Sequence, residues 1–139
     1  MLDRRPNACV VLFVADVARM AAFYREIAQM VVLHEEGSHV VLAIDGFEMV
    51  MHSLPPGETT PRETVLETVL ETVLTVREDS YMKLCLPVPR IAEARMIAAR
   101  LGGAIAAPNK EWETRGFRAC DGHDPEGNVI QVRQPAGDS

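Results

Sequence analysis

The chain runs twice through one order of short segments, and this repetition constrains its fold more than any single motif does. The first pass opens on Ala8–Val14 (ACVVLFV), an apolar run rich in β-branched residues that reads as a strand. It stops at Asp16, a residue type that caps helix N-termini, and a helical period follows. Val17, Met20, Ala21, Tyr24, Ile27 and Ala28 recur at the three- and four-residue spacing that puts them on one face. Three strand-like runs come next, at 30–34, 39–44 and 47–53. The breaks between them, Glu35-Glu36-Gly37 and Asp45-Gly46, are of the kind that joins hairpins.

The second pass has the same grammar. Residues 82–88 read as a strand, although Pro87 and Pro89 cannot donate to a ladder and argue that it ends early at a sheet edge. Residues 90–101 read as a helix with Ile91, Ala94, Ala98 and Leu101 on its apolar face, stopped by Gly102-Gly103. Strands are then expected at 104–107, 117–120 and 128–133, the last two joined by the turn-rich loop DGHDPEG at 121–127. The fold class read from this order is α+β, with two tandem βαβββ modules. With 139 residues and 47% hydrophobic content the chain suits one domain with a real core. Module one is expected at 7–53, a linker at 54–79 and module two at 80–134.

The linker contains PPGETTP and then three tandem copies of Glu-Thr-Val-Leu at 63–74. A four-residue repeat drifts by about 40° per copy against the helical period, so Val and Leu would wind slowly round a helix. Thr and Val are poor helix formers. A packed helix, a mobile linker and an added edge strand remain open readings, and nothing catalytic is implied.

Charge and cysteine usage narrow the function classes. Fourteen Lys and Arg against twenty Asp and Glu give a net charge of −6, with no basic block, so the footprint of a nucleic-acid or anionic-membrane binder is missing. No apolar run approaches the roughly 20 residues needed to span a bilayer, and no signal-peptide pattern opens the sequence. Cys9, Cys85 and Cys120 are odd in number and widely spaced, which suits reduced thiols and neither a disulfide framework nor a zinc knuckle. A soluble, cytoplasmic protein is expected.

The repeated module order, with CVVLFVADVARMAAFYREI, FEMVMH, LCLPVPRIAEARMIAARLGG and the turn DPEGNVIQV, resembles the vicinal oxygen chelate superfamily, which includes glyoxalases, bleomycin-resistance proteins and extradiol dioxygenases. The resemblance covers nearly the whole chain outside the repeat and the tails. It implies that each module is a curved mixed sheet with a helix on its outer face, the two sheets enclosing a cleft where a divalent metal and a substrate meet, with His, Glu or Gln ligands on the first and last strands of each module. Carried onto this sequence, those positions fall on Cys9, His52, Lys83 and Gln131, with His52 and Gln131 the candidate metal ligands. A lysine ammonium has no lone pair to offer a metal, and Gln is a weak neutral donor. The set is thus a poor match to Mg²⁺, Mn²⁺ or Fe²⁺.

Weighed one at a time, the same residues suggest a binding cleft. Lys83 would share its strand face with Cys85, and Gln131 its own with Val129 and Arg133, so Lys83 and Arg133 would give the cleft a positive potential. Lys83 could equally pair with a nearby Glu or reach solvent with its head group. Trp112 is expected to cap an apolar cleft or else to cover the core, whereas Cys9 and Cys120 read as small core residues and not nucleophiles, and His123 as exposed. Tyr24 reads as core packing, and Met49, Met51 and Met82 as core or cleft lining. These residues thus suggest a small-molecule binder, with an organic anion as one candidate ligand, and the resemblance implies a homodimer. The alternatives are a metal-dependent lyase, isomerase or dioxygenase of the superfamily, and an interaction protein assembled through the ETVL segment.

Overall fold

The computed structural model describes residues 5–54 and 75–137. The Glu-Thr-Val-Leu repeat lies outside them. The two modules are present as two mixed sheets. In the first, β1 (Ala8–Val14), α1 (Val17–Ile27), β2 (Val31–Glu36), β3 (His39–Ile44) and β4 (Phe47–Ser53) give the strand order β1-β4-β3-β2. In the second, β5 (Leu84–Pro87), α2 (Ile91–Arg100), β6 (Ala104–Ile105), β7 (Trp112–Thr114), β8 (Phe117–His123) and β9 (Val129–Pro135) give the order β5-β9-β8-β6, with β7 also paired to β8. The opening strand of each module is parallel to its closing strand, and the other pairs are antiparallel.

Strict alternation decides what each sheet buries. Val14, Val40, Leu42, Met49 and Met51 turn inward under α1, while their neighbours Phe13, Val41 and Val50 face the other way. In the second sheet Leu86, Ile130, Val132 and Cys120 are buried under α2 with Ile91, Ala94 and Ala98. Each sheet therefore has one face under its helix and one open face.

Local chemistry fixes the boundaries. Asp16 caps α1, its side chain accepting from the Arg19 amide at 3.0 Å. Helix α2 has no such cap of its own. Gln134 on β9 supplies it, its side-chain oxygen accepting from the Ile91 amide at 2.7 Å. Strand β5 occupies a sheet edge and ends at Pro87, as proline requires, but it begins only at Leu84, and Met82 is exposed outside it. Strand β8 runs through His123, so the first part of the expected 121–127 loop is ladder. Strand β7 was not expected. It joins β8 through Arg115-Gly116, both at positive φ (46° and 85°), the same turn geometry as Asp45-Gly46 between β3 and β4.

The modules meet through their helices and through the DPEGN turn. Gly103, just past α2, lies so close to α1 that an added Cβ would stand 2.5 Å from the Phe23 ring and 2.6 Å from the His123 carbonyl oxygen. Asp124, fully buried, accepts from the Tyr24 hydroxyl at 2.6 Å, from the Glu126 and Asn128 amides at 2.9 Å, and from the Asn128 side chain at 2.8 Å. Burial and then the Asp124 charge hold the Tyr24 phenol well above its ordinary pKa, so it stays a donor. Glu126 accepts from the Ala15 and Asp16 amides at the start of α1. Thus the most specific motif of the sequence is spent on joining one module to the other.

Candidate functional site

The open face of the second sheet carries a connected polar row. Register pairs Gln131 with Asp121 and Cys85, and pairs Arg133 with Ala119 and Pro87, while Trp112 pairs with Ala119. Residues opposite one another share a face, so Gln131, Asp121, Arg133, Phe117 and Trp112 line one surface. Asp121 Oδ1 accepts from Lys83 Nζ and from Gln131 Nε2, both at 3.1 Å. The Gln131 carbonyl oxygen accepts from Arg133 Nε at 2.7 Å. The Arg133 guanidinium lies over the Phe117 ring, 4.4 Å from its centroid, with Arg115 at 5.1 Å from the same ring.

These contacts assign the groups' capacities. Lys83 is paired with Asp121, not with a Glu as the sequence suggested. Both side chains of that pair are more than a third exposed, so the pair orients groups and adds little stability. Gln131 has both ends of its amide engaged. Arg133 uses only Nε, and its two terminal nitrogens meet no protein acceptor among the described residues. Beside it, Phe117 and Arg133 help to wall a groove of about 700 Å³ that runs to Ala28, Gln29 and Ile44 of the first module. Sequence reasoning missed Asp121, because it reads as turn chemistry until β8 is known to extend through it.

Trp112 is held in place by a neighbour. Glu111 accepts from Arg95 at 2.6 Å and from Arg118 at 2.5 Å, and Arg95 also donates to the Ala106 carbonyl. Burial raises the Glu111 carboxyl, but the hydrogen bonds and charges of the two arginines more than reverse this, and its pKa lies below the usual carboxylate range. The bridge ties the segment entering β7 to α2. Trp112 keeps 38% of its surface exposed.

Cys9 and His52 stand on the open face of the other sheet, where Cys9 is exposed and not a core residue. Cys120 is buried, and burial pushes its thiol up. In the observed register Glu48, and not His52, lies opposite Cys9, while His52 lies opposite Phe13. Four residues of strand separate those two rungs, roughly 13 Å, too far for Cys9 and His52 to share one ion. With Lys83 and Gln131 engaged as described, the residues at the family's ligand positions do not fit a divalent metal.

The sequence matches the family described as the Glyoxalase-like domain over residues 9–133, and the chain belongs to that family. No curated protein sequence matches it. Among solved structures it resembles a glyoxalase/bleomycin resistance protein/dioxygenase family enzyme from Burkholderia phytofirmans, with TM-score 0.62 and 17% identity over 92% of this chain and 97% of that one. A glyoxalase/bleomycin resistance protein from Albidiferax ferrireducens gives TM-score 0.63 and 13% identity over 91% and 96%. A variant of the genomically encoded fosfomycin resistance protein from Listeria monocytogenes, solved with Mn(II) and 1S,2S-dihydroxypropylphosphonic acid, gives 0.59 and 13% over 99% and 94%. At these identities the likeness establishes the shared fold of two βαβββ modules. Among the described residues no helix is long and apolar enough to cross a membrane.

Proposed function

We propose that the chain binds a small organic anion, through a carboxylate, phosphonate or phosphate group, on the open face of the second sheet and in the adjoining groove. The observation that carries this reading is Arg133. Its guanidinium is fixed by Gln131 and Phe117, and its terminal nitrogens are left without an acceptor among the described residues. A planar fork held in one orientation suits an oxyanion, since little side-chain freedom is lost on binding. Trp112 and Phe117 offer apolar surface for the rest of the ligand, and a groove of about 700 Å³ is of the size that small-molecule sites have. The fosfomycin resistance protein named above holds a phosphonic acid together with Mn(II). Arg133 can serve the first of these, whereas no donor set at the family's positions serves the second.

The same reading takes the protein as a cytoplasmic homodimer. Its three cysteines are free. The modules join through their helices, so each open face is left for a second copy to complete, and on the first sheet Val11, Phe13 and Val31 are 48%, 56% and 58% exposed. Light scattering should return a dimer mass that Phe13→Asp lowers and that deletion of 63–74 leaves unchanged.

The binding reading is tested by thermal unfolding against carboxylates, phosphonates and phosphate esters, each beside its neutral amide or alcohol counterpart, because a ligand of the native state raises the midpoint by mass action. Anions should raise it and their neutral counterparts should not. An equal response to both would refute the reading.

A further inference from the structure

The open face of the first sheet carries three imidazoles in a row. Phe13, His52 and His39 occupy one rung across β1, β4 and β3. The His52 and His39 rings stack with centroids 5.8 Å apart and 10° between planes, and His34 on β2 brings its ring to 5.2 Å from His39. Glu36 lies directly across from His39, beside the turn of the β2–β3 hairpin. His34 Nε2 is 2.9 Å from the Glu36 carboxylate, and one donor atom from each of His34, Glu36 and His39 lies within 4.8 Å of the other two.

The geometry points to a divalent-cation site on this hairpin, with His34, Glu36 and His39 as ligands and a borderline ion of the Zn²⁺ class as its occupant. Two imidazoles and one carboxylate form a donor set that such ions favour, and it leaves a coordination position for water or an incoming ligand. Around an ion with bonds of about 2.0–2.1 Å, donors stand roughly 3.3 Å apart. His34 and Glu36 are already closer than that, and the remaining gap closes by rotation of side chains that are 51% and 58% exposed. The hairpin ladder holds the three Cα positions, so little backbone ordering is needed on binding. The His52 ring stacks beside His39, and its Nδ1 donates to the Ser53 carbonyl at 2.8 Å. None of the three ligands is a family position named above, and none lies on the sheet that carries Arg133, so the site stands or falls independently of anion binding.

The test uses tag-free protein stripped with chelator and dialysed, titrated with Zn²⁺ by calorimetry and with Co²⁺ by visible absorption. Wild-type protein should bind Zn²⁺ in a saturable step, and the Co²⁺ complex should show weak ligand-field bands without thiolate charge transfer. Loss of an outer partner alone weakens metal sites roughly 10–100-fold, so His34→Ala and His39→Ala should each weaken Zn²⁺ binding by at least about tenfold. Melts without metal check that both variants fold, and Cys9→Ser and Lys83→Ala should bind as wild type does. Absence of binding to the wild type, wild-type affinity in either histidine variant, or a thiolate band that disappears in Cys9→Ser would overturn the assignment.

Discussion

Removing the Tyr24 hydroxyl isolates one strand of the junction between modules. The phenol donates at 2.6 Å to Asp124, and both groups are buried, at 1% and 0% exposure. A hydrogen bond to a charged group contributes about 1.5–3 kcal/mol, so Tyr24→Phe should cost about 2 kcal/mol. Asp124→Ala should cost more, about 3–5 kcal/mol, because it strands the Tyr24 hydroxyl and the nitrogens of Glu126 and Asn128 together. The double variant should fall short of the sum by about 1–2 kcal/mol, since once Asp124 is gone the hydroxyl has no acceptor to lose. Urea unfolding monitored by circular dichroism reads all three, with the slope checked to be constant so that midpoints report stability. A Tyr24→Phe cost under about 0.5 kcal/mol, the level of an ordinary surface change, would refute the view that DPEGN ties the modules together. So would strict additivity with Asp124→Ala.

Other outcomes follow from the same contacts. Gly103→Ala should destabilise by about 1–3 kcal/mol in urea unfolding, because the new methyl meets the Phe23 ring and the His123 carbonyl. Glu126→Ala should lower the unfolding midpoint by leaving the Ala15 and Asp16 amides without their acceptor. Glu111 has a lowered folded pKa, so its contribution is present above the unfolded carboxylate pKa and is lost as pH falls through the folded value. The stability gap between wild type and Glu111→Gln should therefore be full at neutral pH and shrink in acid, and a gap constant with pH would contradict that.

Periodicity made the module order readable, because alternating and helical spacings survive in the sequence whatever the tertiary context. The boundaries that shifted did so for local reasons. Strand β7 escaped notice because Arg115-Gly116 is not one of the Asn-Gly or Asp-Gly pairs that advertise such a turn, although it adopts the same positive φ values. Asp121 was hidden inside a stretch whose Asp, Gly and Pro content looks like loop. Strand alternation put Gln131 and Arg133 on one face, whereas Lys83 was placed beside them only by the family resemblance and stands just before β5. Which acid they would meet depended on a strand 38 residues further along from Lys83. The imidazole row on the first sheet could not be read at all without register, since His34, His39 and His52 become neighbours only when β2, β3 and β4 pair. Where His52 stands relative to Cys9 likewise follows only from the pairing of β1 with β4.

Isothermal titration of the best-binding anion into wild type, Arg133→Ala and Lys83→Ala is the most direct test of the central claim. Wild-type protein should bind, and Arg133→Ala should lose at least about tenfold in affinity, near 1.4 kcal/mol. Lys83→Ala, whose ammonium is already paired with Asp121, should lose far less. Full affinity in Arg133→Ala would contradict the account, as would wild-type protein that binds no anion.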